Sequence, residues 1–331
     1  ALINDLYNEK IDAIIITDNY IDMFSKEENY KNIAKDTKIL FTKEKSFSKE
    51  EIAKYTGDEI LNLNKSNSIT KPFTVLVMGI DSTEETLSNN ATGNGDALML
   101  VTFNPKTLNA TILSIPRDSY IPISCMGGIE NKITHAAWGG VSCMIKTIQN
   151  YFGINIDYYV KINFKGVVNL VDVLGGVTVD VPESLDGVCE QDSNRRFGAF
   201  EQCFTKGVQK LNGEQALAMA RHRKTLATGD FERGLNQQRV VQGIINQLKT
   251  IRSANKALEI LETLSNSMDT NFTTKQLLSF YDILQVLSET STTKNLITMQ
   301  QLYINGAGQM IYDERSELVL YEFVPNSCSV D

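Results

Sequence analysis

Short runs of apolar, β-branched residues alternate along the chain with stretches in which apolar residues recur every three or four positions. The first pattern predicts strands and the second predicts helices. Residues 73–79, Phe-Thr-Val-Leu-Val-Met-Gly, read as a buried strand. A hairpin follows, with strands over 97–104 and 110–115 joined by the turn Asn104-Pro-Lys-Thr107. Val141, Met144, Ile145, Ile148 and Phe152 share one helical face, and so do Val240, Val241, Ile244, Ile245, Leu248 and Ile251. Strands are expected over 158–162 and 177–181, and a helix over 165–174 stops at Gly175-Gly176. Helices over 213–220, 254–267 and 274–289 and late strands over 296–304 and 317–323 complete this part. Upstream, a strand over 12–17, a helix over 22–35 and a strand over 38–42 read as a small β-α-β unit. Residues 43–70 read as a polar connecting segment with one short helix near 49–55. Strands and helices alternate throughout, so the fold class is α/β, or α+β in layers.

Composition narrows the function. The 331 residues are 42% hydrophobic and 22% charged, with a net charge of −8. Chains that track phosphates on nucleic acid usually carry a basic excess, which argues against a nucleic-acid partner. The longest apolar run, 75–80, is far shorter than the roughly 20 residues that span a bilayer. The chain opens at Ala1, and we read it as a processed or truncated ectodomain. Its two histidines, His135 and His222, have no metal-ligand spacing, and no GxSxG elbow occurs. The five cysteines include no CxxC pair. Cys125 and Cys143 are 18 apart and Cys189 and Cys203 are 14 apart, spacings that suit disulfides in an exported chain and buried thiols in an intracellular one. We expect both disulfides, with Cys328 free.

Candidate chemistry gathers at the ends of apolar elements. Asp81 ends the first strand and Asp96 begins the next. Two carboxylates at neighbouring strand ends either cap turns or share a hard cation such as Mg²⁺. Arg117 and Asp118 end the third strand. Arg221 and Arg223 share a face if that stretch is extended, and Arg233 and Gln237 share a face if it is helical. Arginines converging with amide groups suit an anion with several oxygens, because guanidinium forks match phosphate bidentately. The same residues also read as a solvated face. His222 is assigned to packing, while Trp138 and His135 read equally as core residues or ligand contacts.

The blocks Val77-Met-Gly-Ile-Asp81, Gly95-Asp-Ala-Leu-Met99, Leu113-Ser-Ile-Pro-Arg-Asp118, Asn131-Lys-Ile, Leu174-Gly-Gly-Val177, Leu211-Asn-Gly-Glu-Gln-Ala-Leu217, Arg221-His-Arg223 and Asp230-Phe-Glu-Arg233 with Gln237 occur together in this order. In this combination the chain from about Pro72 to Thr250 resembles the LytR–CpsA–Psr family of cell-wall glycopolymer phosphotransferases. The resemblance implies a central mixed sheet sandwiched between helices over 71–331, preceded by a small N-terminal α/β accessory domain and connecting segment over 1–70. It implies an Mg²⁺-dependent enzyme held on the extracellular face of the cytoplasmic membrane, in a Gram-positive bacterium, by an anchor absent from this chain. Its partners would be a polyprenyl-pyrophosphate-linked glycopolymer, of capsular polysaccharide or wall teichoic acid type, and peptidoglycan, with no nucleic acid. Asp81 and Asp96 match the family's metal-associated carboxylates. Arg117, Arg221, Arg223, Arg233 and Gln237 match its pyrophosphate-binding residues, with Asp96, Arg117 and Arg233 catalytic. Thr83 and Asn236 stand where the family often has Arg, and the family's lipid tail would lie here between the sheet and the helices bearing Ile145 and Ile244. A non-catalytic polyprenyl-phosphate or envelope-binding protein is the alternative.

Overall fold

The apolar run Phe73–Ile80 forms β1, and the hairpin β2 (Gly95–Asn104) and β3 (Asn109–Ile115) lies antiparallel along it. Register sets Phe73 opposite Phe103 and Leu98 opposite Ile115. A bulge at Gly79/Ile80 ends the regular pairing where the site carboxylates begin. A small hairpin follows, β4 (Tyr120–Ile123) with β5 (Ile129–Lys132). On the other edge of β1, β6 (Tyr158–Asn163) pairs in parallel. Next come β7 (Val177–Val181), the two-residue strands β8 (Cys189–Glu190) and β9 (Gln202–Cys203), and β10 (Gly207–Leu211), which returns to pair with β7. β11 (Met268–Thr270) and β12 (Met299–Tyr303) close a six-stranded mixed sheet of order β11-β6-β1-β2-β3-β12. A last hairpin joins β13 (Gly306–Asp313) and β14 (Leu318–Pro325). This computed structural model describes residues 47–56, 69, 71–82, 94–107, 109–190, 201–226, 230–289, 299–313 and 317–326.

Seven helices complete the described chain: α1 (Lys49–Ile52), α2 (Gly140–Phe152), α3 (Phe164–Val173), α4 (Gly213–Arg221), α5 (Asp230–Leu248), α6 (Ala254–Leu264) and α7 (Thr274–Glu289). Alternation along β1 sends Leu76 and Met78 to one face of the sheet, where they meet Met144 and Ile148 of α2. Phe73 and Val75 point the other way and pack with Phe272. A second core unites Phe47 and Ile52 with α6 and Leu278 of α7, and a third joins β7, α4 and Val240 of α5. Ile145 packs against the first core, whereas Ile244 packs against the second and third. Among the described residues, the two stripes therefore pack against different cores.

Both expected disulfides are present, Cys125–Cys143 and Cys189–Cys203. The first fits only because residue 139 is glycine: a Cβ there would stand 2.6 Å from the Cys125 sulfur. Residues 46–331 form one compact unit, divided from Ala1–Lys45. The expected N-terminal β-α-β elements, Thr83 and Cys328 lie outside the described residues. Among the described residues no helix is long and apolar enough to cross a membrane. Seven described strands, β4, β5, β8, β9, β10, β11 and β13, escape the apolar pattern. Pro122 interrupts β4, while β10 (Gly-Val-Gln-Lys-Leu) and the Gly-rich start of β13 carry too few apolar residues to show a period of two.

Candidate functional site

The site grows from the ends of the central strands. β3 delivers Ser114 and Ile115, and the chain then turns through Pro116 to Arg117. β2 begins beside it and carries Asp96. Arg117 Nη1 donates to Asp96 Oδ1 at 2.6 Å. Helix α5 crosses the same end of the sheet. Its Gly234 faces Ser114, where a Cβ would make ordinary contact at 3.5 Å from Ser114 Cβ. Gln238, fully buried, locks the crossing by donating to Ser114 Oγ at 2.7 Å. α5 thereby presents Phe231, Arg233 and Gln237 to the cleft.

Asp96, Arg117, Arg233 and Gln237 line one narrow cleft, open to solvent, with Ile115, Phe231 and Ile304 as its apolar wall. Arg233 is 8% exposed. It lines the same cleft as Arg117, and guanidinium forks are matched to anions with several oxygens. The other predicted residues stand around this group. Asp81 follows the bulge, and its backbone N–H donates to Asn94 O at 3.3 Å, two residues before Asp96. Arg221 ends α4 and stacks over the Phe164 ring at 4.4 Å. Arg223 lies just beyond, exposed. Neither arginine lines the cleft, but Gln237 Nε2 donates to Ala220 O, the carbonyl before Arg221, at 3.3 Å. Asn236 is turned inward, 1% exposed, with its Oδ1 accepting from Arg239 Nη1 at 2.8 Å.

Three features lie beyond the sequence reading. His222 is not a packing residue alone. It is 2% exposed, with Nδ1 donating to Glu190 Oε2 at 2.5 Å and Nε2 accepting from Thr225 Oγ1 at 2.7 Å. Glu190 belongs to the β8–β9 pair that Cys189–Cys203 closes, so a disulfide-bonded hairpin braces the Arg221-His-Arg223 turn. Behind Arg117, Asp118 Oδ1 accepts from Lys132 Nζ at 3.1 Å. The final hairpin docks there, with Phe323 N–H donating to Asp118 O at 2.9 Å. It buries Glu322, 2% exposed, whose Oε2 has no hydrogen-bond partner among the described residues. Burial pushes the Glu322 carboxyl up to about 7; Asp118 and Asp313 add to the shift and Lys132 opposes it. Lastly, Trp138 is 53% exposed and stacked on His135, not buried in the core. The partners Glu190 of His222 and Asp118 of the final hairpin are distant in sequence, so spacing carried neither contact.

Asp81 and Asp96 stand at adjoining strand ends, and paired carboxylates are the donor type a hard cation takes; of the two, Asp96 lines the cleft and is paired with Arg117. Cys189, Glu201 and Cys203 also cluster, but the two sulfurs are joined in a disulfide and offer no thiolate.

The LytR_cpsA_psr family profile matches residues 30–321. The polyisoprenyl-teichoic acid–peptidoglycan teichoic acid transferase TagU of Bacillus subtilis (strain 168) is 36% identical over 217 residues, 65% of this chain and 64% of that protein. The chain thus spans a little under two thirds of that relative's length. The crystal structure of B. subtilis TagV superposes with a TM-score of 0.62 at 29% identity, covering 79% of this chain and 93% of that one. A structure of TagT bound to LI-WTA superposes with a TM-score of 0.60 at 28% identity, covering 78% and 87%. The ordered motifs, the mixed sheet between helices and the arginine-lined cleft at its strand ends all converge: this chain belongs to the LytR_cpsA_psr family.

Proposed function

We propose that the chain transfers a glycopolymer from a polyprenyl-pyrophosphate carrier to peptidoglycan. The observation that carries this reading is the convergence of Arg117, Arg233, Gln237 and Asp96 in one cleft with an apolar wall. A diphosphate needs charge neutralisation, and a lipid carrier needs an apolar surface beside it. TagU's named activity, transfer of polyisoprenyl-linked teichoic acid to peptidoglycan, supports the same chemistry.

In the step proposed, a hydroxyl oxygen of a peptidoglycan sugar attacks the phosphorus that bears the polymer. A new O–P bond forms and the bridging P–O bond breaks, with its electron pair leaving on polyprenyl phosphate. The hydroxyl proton is released. Charge builds on the equatorial oxygens of the transferred phosphoryl group. Arg117 and Arg233 stabilise that charge in place, preorganised by Asp96 and by burial in α5. Gln237 ties the cleft to the end of α4, which brings Arg221 and Arg223 to its rim. Asp81 and Asp96 would hold Mg²⁺, which would supply further neutralisation of the diphosphate. Membrane attachment through an anchor beyond this chain, on the outer face of the membrane, would hold the cleft near its lipid-linked substrate.

Incubation with a labelled polyprenyl-pyrophosphate glycopolymer and peptidoglycan tests the reading. Label in the peptidoglycan, with release of polyprenyl phosphate, is the expected result. Tight binding of the carrier without release would instead favour a non-catalytic lipid-carrier protein.

A further inference from the structure

Trp138 occupies a position that packing does not explain. It is 53% exposed, yet its ring is held fixed. One face stacks on His135 at 4.2 Å between centroids and 22° between planes. His135 is itself pinned, its Nδ1 donating to Asn131 Oδ1 at 2.8 Å. The indole N–H donates to Asn94 Oδ1 at 3.2 Å. The backbone beneath is immobilised too. Ala136 and Ala137 are buried, and Gly139 lies against the Cys125–Cys143 disulfide. Thr134 Oγ1 donates to Gly95 O at 3.2 Å. Asn94 and Gly95 immediately precede Asp96, so two hydrogen bonds lash this aromatic platform to the strand end that carries the cleft's carboxylate.

We propose that Trp138, backed by His135, is a saccharide-stacking subsite beside the phosphate cleft, receiving the apolar C–H face of a pyranose ring. The proposal rests on the glycopolymer reading above and adds to it the residue that grips the sugar. A flat, electron-rich ring face with its polar edge already satisfied recognises axial C–H groups by dispersion and by burial of apolar area. It does not recognise hydroxyls, which find their partners elsewhere. Rigidity matters because the platform loses no rotamer freedom when the sugar docks. The tether to Asn94 sets the platform beside the strand end whose Asp96 is paired with Arg117, the cation proposed to meet the phosphoryl group. Two sugars fit that chemistry: the acceptor sugar of peptidoglycan, and the first sugar on the carrier diphosphate.

Trp138 is the chain's single tryptophan, so its emission reports this subsite alone. The experiment titrates the protein with two probes, a phosphate-free N-acetylhexosamine oligomer from peptidoglycan and a short-chain prenyl diphosphate disaccharide. A saturable change in emission with either probe supports the subsite. A response to the oligomer identifies the acceptor sugar, and a response to the diphosphate disaccharide alone identifies the donor sugar. Calorimetric titration of Trp138→Ala should show affinity for the responding probe reduced about tenfold, with Trp138→Phe keeping most of it. Melting curves of both variants should match the parent, since the side chain is largely exposed. Binding and emission need no turnover, so a chain that transfers no polymer would still report on the subsite. Unchanged emission at saturating concentrations of both probes, or unchanged affinities in Trp138→Ala, would overturn the proposal.

Discussion

The cleft has two walls, built on different principles. The sheet wall is a chain of paired charges: Asp96 with Arg117, then Asp118 with Lys132, and behind them the buried Glu322. Strand register positions each member, and the acids and bases largely neutralise one another. The helical wall is a set of cations and amides carried by α5 and the end of α4. Arg233 and Gln237 ride on α5, Arg221 rests on an aromatic face, and Arg223 sits at the rim. What fixes this wall is a brace of side-chain hydrogen bonds: Gln238 to Ser114, Gln237 to Ala220, and His222 to the Glu190 carboxylate and Thr225. The sheet wall is thus held by ion pairs along its strand ends, and the helical wall by side-chain hydrogen bonds that brace its helices. A ligand rich in negative charge suits the second wall, and the first supplies the fixed frame against which it is held.

The largest expected effects come from removing one cation from either wall. Arg117→Ala and Arg233→Ala should each lower transfer by roughly 10²–10³, the usual size for a preorganised contact to transition-state charge. Melting temperatures should stay near the parent's, because neither residue belongs to an apolar core. Rates measured beside melting curves check this. Near-normal turnover in both would break the comparison, since neither wall would then touch the reacting group.

Glu322→Gln probes the sheet wall through pH. A carboxyl pushed up to about 7 by burial binds a proton in the folded state that the unfolded chain releases near 4.5. Stability from this group is therefore complete below about 4.5 and declines as pH rises toward 7. The glutamine variant should lose that decline and become more stable than the parent at pH 8, by up to about 3 kcal/mol. Denaturant titrations at pH 5 and pH 8 measure it. A parallel pH dependence in the two proteins would show that Glu322 is charged in the fold.

His222→Ala probes the helical wall. Deleting the imidazole leaves Glu190 without its buried partner, at a cost of about 1–3 kcal/mol. The KM for the diphosphate substrate should rise more than kcat falls, because the Arg221–Arg223 turn loosens while Arg117 and Asp96 stay in place. His222→Gln, which retains a donor and an acceptor, should recover part of the loss. The smallest effect is expected from Arg221→Lys. An ammonium keeps the charge but loses the fork and most of the stacking on Phe164, so a loss of several-fold is expected in transfer assays.

The two walls also differ in how far the sequence reveals them. Asp81, Asp96 and Arg117 terminate strands whose apolar runs are plain, so their gathering at one sheet end follows from the pattern of elements. Arg233 and Gln237 share a helix face, and that spacing is equally visible. The braces are not. Glu190 and His222 are brought together by a disulfide across residues 189 and 203, and nothing local to either predicts the contact. Glu322 sits in an expected strand, but its burial depends on that strand folding back onto Asp118, a contact between residues some 200 apart. Trp138 reads from spacing as core or ligand contact alike, and only its tether to Asn94 decides for the surface. Periodicity reports which face of an element is buried; it does not report which polar groups from distant elements meet there.

The central claim is that the cleft between the two walls holds the diphosphate. Crystals of this chain soaked with a short prenyl diphosphate test it most directly. The expected result is a diphosphate contacting Arg117, Arg233 and Gln237, with the first isoprene units against Phe231 and Ile304. Diphosphate bound at another surface with this cleft empty would contradict it.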